Sequence, residues 1–105
     1  MLALRVVGSL DAGRLSSMSH GVVRGDIYYK QENEKDRLRM GGGSWSINYD
    51  DVDFDIVETI VFCTDKGHYI ISATKALLQG FDRILGGERK LVVPVKHWKF
   101  KSIKE

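Results

Sequence analysis

Apolar and polar residues alternate with a period of two through much of this chain, which predicts half-buried strands rather than helices. Leu2 to Val7 predicts a first strand, stopped by Gly8-Ser9 and followed by a Ser-rich connection. Val22, Val23, Ile27, Tyr28 and Tyr29 predict a second strand over residues 20–29, with Gly25 marking a bulge. Gln31 to Asp36 is charged and reads as a solvated hairpin loop, with Arg37-Leu38-Arg39-Met40 as its return strand. After the flexible Gly41-Gly42-Gly43, alternation resumes at Trp45, Ile47 and Tyr49.

The stretch from Phe54 to Thr64 is apolar on both faces, Ile56, Ile60 and Phe62 on one and Val57, Val61 and Cys63 on the other. Such a strand belongs in the middle of its sheet. Asp65-Lys66-Gly67 predicts a tight hairpin leading into His68-Tyr69-Ile70-Ile71. Leu77, Leu78, Phe81, Ile84 and Leu85 then fall at the spacing of one helical face, predicting an amphipathic helix from Thr74 to Leu85. Ser72 or Thr74 caps its start, Gly86-Gly87 stops it, and Gly80 within it points to a close backbone neighbour. Leu91 to Val95 predicts a last strand continuing through Lys96 to Phe100, with Pro94 placing it at an edge or a bulge.

Strands followed by one helix and one further strand predict an α+β fold. The expected form is a twisted, mainly antiparallel sheet of about five or six strands, flat or curled to a half-barrel, with the helix packed on one face. The 105 residues suit a single α+β domain spanning 1–105.

Composition narrows the function classes. An apolar fraction of 43% with 29% charged residues excludes disordered and collagen-like chains. No apolar run approaches the roughly 20 residues of a membrane helix, so no membrane partner is expected. Leu2 to Gly8 is too short for a signal-peptide core, and Cys63 alone cannot form an intrachain disulfide. A cytoplasmic location is the expectation. The net charge of +2 is too small to imply nucleic acid unless the charges cluster.

They cluster near residue 100. Lys96, Lys99, Lys101 and Lys104 interleave with His97, Trp98 and Phe100. Lysines beside exposed rings serve single-stranded nucleic acid, phosphates meeting cations and bases stacking on aromatics. In the competing structural reading, Trp98 and Phe100 pack inward from one strand face while the lysines solvate the other. Asp50, Asp51, Asp53, Asp55 and Glu58 form an acidic run that suits a hard cation, a basic partner or a solvated sheet edge, but lacks the EF-hand pattern.

Other constellations are thinner. Glu88-Arg89-Lys90 after an upstream Asp loosely echoes metal-dependent nucleases. Cys63-x4-His68 spans the expected hairpin turn, and with His20 and His97 could in principle bring zinc ligands together, but one cysteine and scattered histidines point to structural or surface histidines. Ser17, Ser19, His20 and Asp26 lack a nucleophile-elbow motif, and Gly41 to Ser44 lacks the Gly-Lys of a phosphate loop. Tyr28, Trp45, Tyr49, Glu58 and Trp98 are candidates to line a pocket or an interface, Glu58 as an acid if buried among Ile56, Ile60 and Phe62. No cofactor or metal is expected.

One helix cannot cover both faces of such a sheet, so the leading expectation is a non-enzymatic binding or interaction module, a homodimer or the receptor of a small-molecule ligand. The competing expectation is a nucleic-acid-binding protein, or a small nuclease or toxin, using Lys96, Trp98, Lys99, Phe100 and Lys101. A small-molecule enzyme built on Glu58 or a histidine is the third.

Overall fold

Tight turns set the strand framework of the computed structural model, which describes residues 21–39 and 41–102. Gly25, with φ +66°, turns strand β1 (Val22–Arg24) into β2 (Ile27–Gln31). The Thr64–Gly67 turn joins β4 (Thr59–Cys63) to β5 (Gly67–Ser72). Gly86 and Gly87, at φ +60° and +82°, join β6 (Phe81–Leu85) to β7 (Glu88–Pro94). The last pair has the two left-handed residues of a type I′ hairpin, whose twist matches that of its strands.

These hairpins assemble into two open sheets. The larger has the order β1-β2-β4-β5-β8, with β8 at Lys99–Ser102, and the smaller has the order β3-β7-β6, with β3 at Ser44–Asn48. Every pairing is antiparallel except β2 with β4, which runs parallel from Ile27 opposite Thr59 to Gln31 opposite Cys63.

One core lies between the sheets. Tyr28, Ile60, Phe62, Tyr69 and Ile71 of the larger sheet meet Trp45, Ile47, Leu91 and Val93 of the smaller. Trp45 stands edge-on to Phe62 at 5.4 Å and to Tyr69 at 5.3 Å, while Phe62 also meets Trp98 at 4.9 Å. Offset and edge-on rings add to the roughly 1.5–3 kcal/mol that burying each such side chain contributes.

Helix α1 (Glu34–Arg39) closes one end of the core. The Asn33 side chain accepts from the Lys35 amide at 2.8 Å, capping its start, and Gly41 and Gly42, at φ +113° and +73°, turn the chain beyond it. Its buried Glu34 accepts from the Tyr69 hydroxyl at 2.6 Å and pairs with Arg37 at 2.5 Å. The Arg37 guanidinium also donates to the Gly42 carbonyl and lies over the rings of Trp45 and Tyr69. Residues 34–39 are therefore not part of a loop and return strand: acidic residues lead and basic residues end a short helix, held by i,i+3 ion pairs Glu34–Arg37 and Asp36–Arg39.

Helix α2 (Ala73–Gln79) begins at the expected cap, with Ser72 Oγ accepting from the Lys75 amide at 3.0 Å. It stops at Gly80, well before Leu85. A Cβ at Gly80 would lie 2.8 Å from Leu91 and 2.9 Å from Val93, so the chain approaches the core as closely as a bare backbone can. Residues 81–85 then extend as β6. The helix seats itself by Ala73 and Ala76, and the residues expected on its buried face are exposed: Leu78 by 75% and Ile84 by 69%.

β4 is central, as its two apolar faces imply, but starts at Thr59; residues 54–56 form a turn in which Ile56 and Val57 donate to the Asp53 carbonyl. The last segment is two strands rather than one. Pro94 ends β7, Val95–His97 forms a 3-10 turn, and β8 joins the other sheet. Among the described residues, the expected single sheet is thus two sheets, neither closed into a half-barrel, with two α-helices in place of one. The first expected strand, the Ser-rich connection, His20, Met40 and Lys104 lie outside the described residues. Among those described, no helix is long and apolar enough to cross a membrane.

Candidate interaction surfaces

Three of the aromatic residues expected at a pocket or interface are core residues. Tyr28 is buried and its hydroxyl donates to Asp51 at 3.2 Å; burial, reinforced by that carboxylate, raises its pKa. Trp45 is sealed between Phe62, Tyr69 and Arg37. Trp98 is buried, its indole donating to the Val93 carbonyl at 3.2 Å. Tyr49 sits apart, donating to Asp82 at 2.5 Å beneath the Arg89 guanidinium. Glu58 is exposed ahead of β4, where its carbonyl accepts from the Ala73 amide. These five residues do not converge on one pocket.

The acidic run serves local structure. Asp53 accepts from the Asp55 amide, and Asn48 caps the 3-10 turn Tyr49–Asp51 through the Asp50 amide. Glu88 accepts from Asn48 at 3.0 Å and lies 3.6 Å from Lys90, so the Glu-x-Lys residues engage each other. Cys63 and His68 are cross-strand neighbours; burial pushes the Cys63 thiol up to about 12, well away from a reactive thiolate. Among the described residues, no three His, Cys, Asp or Glu side chains gather in a metal-holding group.

Two surfaces remain. The first is the outer edge of β6, where Phe81, Ile84 and Leu85 are all exposed and follow directly from the exposed Leu77 and Leu78 of α2. In a two-residue hairpin, Leu85 and Glu88 form the closing hydrogen-bonded pair, and such pairs alternate along the ladder. The Leu85–Glu88, Arg83–Lys90 and Phe81–Val92 pairs therefore hydrogen-bond inward. Asp82 and Ile84 present their amides and carbonyls outward, and no described strand takes them up.

The second is an open groove of about 350 Å³ where β5, α2 and the β7–β8 connection meet. Ile70, Ile71 and Trp98 form its floor, and Lys75, Lys96, His97 and Lys99 stand around it. No carboxylate lines it, and none of its lysines forms an ion pair among the described residues. Lys101 continues the cationic row along β8, beside His68; burial, and then the Lys101 charge, lower the pKa of His68. Phe100 points to the other face of β8, 46% exposed and tilted against Tyr69 at 4.9 Å.

The fold thus gathers Lys96, Trp98 and Lys99 of the expected basic segment and adds Lys75, which sequence spacing did not reveal. The β6 edge was also missed, although Gly86-Gly87 between two apolar-containing runs is itself a hairpin signal. No protein-family model, curated protein or solved structure matches this chain.

Proposed function

We propose that the protein is a non-enzymatic interaction module that self-associates as a two-fold dimer, β6 pairing antiparallel with β6 of a second copy. The observation that supports this most is the concentration of exposed apolar side chains on a strand edge that no described strand pairs with. Folded proteins ordinarily shield such an edge because it templates strand addition.

A second copy fits the edge by symmetry. A two-fold axis normal to the sheet sets residues of the same face opposite each other. An axis through Asp82 or Arg83 would oppose like charges, which destabilises a cross-strand pair. An axis through Ile84 sets that residue against its own copy and Arg83 against the partner's Leu85. Its outward amide and carbonyl then close the new ladder.

Sedimentation velocity tests the register. The wild type is expected as a dimer, and Ile84→Pro as a monomer with a dissociation constant raised at least about tenfold, since losing the paired amides and apolar contact exceeds 1.4 kcal/mol. Proline there removes an amide that the β7 ladder does not use, so the fold is kept. Ile84→Lys, which places a charge on the axis against itself, gives the same result. A wild type that stays monomeric at high concentration overturns the proposal.

A further inference from the structure

We propose that the groove between α2 and β8, continued along the lysine face of β8, binds the phosphate backbone of a single-stranded nucleic acid, with Lys75, Lys96, Lys99 and Lys101 on the phosphates. No described strand pairs with the outer edge of β8, so a base can turn over that edge to stack on Phe100 on the other face. This site is separate from the β6 edge and does not depend on self-association.

Three features carry it. The cations converge from three elements: Lys75 from α2, Lys96 from the 3-10 turn, and Lys99 and Lys101 from one face of β8. Residues two apart on a strand lie roughly 6.6 Å from each other along it, so β8 presents charge at a regular interval to an extended polyanion. None of the four is spent on an ion pair among the described residues, and no carboxylate lines the groove. Solvated lysines release counterions when a phosphate chain replaces the ions.

The third feature is the division of the aromatic residues. Trp98, which packs at a tilt against Phe62 and donates to the Val93 carbonyl, holds the floor in place rather than contacting a base. Phe100 keeps about half of its surface in solvent, and its ring is held at a fixed tilt by Tyr69. A held ring loses little freedom on stacking, and stacked bases in a duplex are not free to use it. That combination selects a single strand over a duplex, and a strand over a free phosphate.

Fluorescence anisotropy with a labelled oligodeoxythymidine in rising sodium chloride is the test. Four phosphate contacts give a log–log salt slope of about −2.8. Lys96→Glu with Lys99→Glu should flatten that slope by about 1.4 and weaken binding at least tenfold, while melting temperature and oligomeric state hold. Phe100→Ala should weaken binding about tenfold without changing the slope, since stacking carries no charge. Inorganic phosphate at the same concentration should not displace the oligonucleotide. A slope near zero, binding indifferent to the lysine changes, or equal affinity for duplex of the same length overturns the proposal.

Discussion

Replacing Glu34 by alanine should cost about 3–5 kcal/mol, because it strands the Arg37 guanidinium in the core without its counter-charge. Both side chains are nearly buried, at 7% and 11% exposure, and Arg37 lies against Trp45 and Tyr69 rather than reaching water. Urea denaturation should show the loss as a lower midpoint, and the melting temperature should fall by roughly 15 °C or more for a domain of this size. A cost below about 1 kcal/mol would mean that Arg37 escapes to solvent, and the buried pair would then not be what holds α1 on the core.

Deleting the whole polar cluster should cost far less than breaking it. The Arg37 Nε and the Trp45 indole nitrogen are buried donors without a partner among the described residues, so the native arrangement is itself incompletely satisfied. Glu34→Met with Arg37→Met and Tyr69→Phe removes the charges and the dependent hydroxyl together, and is expected to be near neutral. The contrast between the single and triple variants is the signature of desolvated charge.

The same carboxylate sets an acid limit. Burial pushes the Glu34 pKa up, but hydrogen bonds from Tyr69 and Arg37 outweigh it and hold the group below the ordinary glutamate value. A depressed folded-state pKa stabilises fully above the unfolded-state value, near 4.3, and that contribution is lost as pH falls through the folded one. Stability should therefore decline below about pH 4 in the wild type, and the part due to this group should vanish in Glu34→Ala.

Gly67→Ala should be nearly as damaging, for reasons of backbone geometry. Gly67 has φ +155°, where a side chain is strained, and an added Cβ would sit 2.3 Å from the Lys101 carbonyl and 2.8 Å from the Phe100 ring. Its own groups are committed: the amide donates to Thr64 Oγ1 at 3.1 Å, and the carbonyl accepts from that hydroxyl at 2.8 Å. Strain of about 1–3 kcal/mol adds to a similar overpacking cost, for a total near 3 kcal/mol. Because the clash is with the backbone of β8, that strand is the one that must move. Amide exchange should rise first over residues 99–102, and oligonucleotide affinity should fall although no lysine has changed. Unaltered exchange there would show that β5 yields instead.

How much of this was written in the sequence depends on what each signal measures. The central place of β4 followed from apolar residues on both faces, a property of the segment alone, and the Asp65-Lys66-Gly67 turn followed from local chemistry. Residues 77–85 misled because Leu77, Leu78, Phe81, Ile84 and Leu85 satisfy a helical period while Phe81 to Leu85 also completes a hairpin through Gly86-Gly87. What decides between them is the contact of Gly80 with Leu91 and Val93, which pattern alone does not contain. Helix α1 was hidden for the opposite reason. It carries little apolar periodicity and is fastened by one buried ion pair. At the basic groove, the C-terminal lysines were legible as a run, but Lys75 joins them only through folding, and Trp98 turns inward because the Val93 carbonyl awaits its indole.

The parallel register of β2 and β4 carries a cost in time. Hairpins β1–β2, β4–β5 and β6–β7 join sequence neighbours and zip within microseconds. Between β2 and β4, however, the chain must first send α1 and β3 across to the other sheet and come back. The strand at the heart of the molecule is thus among the last to find its full set of neighbours. Like the still longer-range pairing of β3 with β7, that return closes a long stretch of chain and is expected to follow the hairpins, and until it is complete the apolar faces of β4 stay open to the wrong partner.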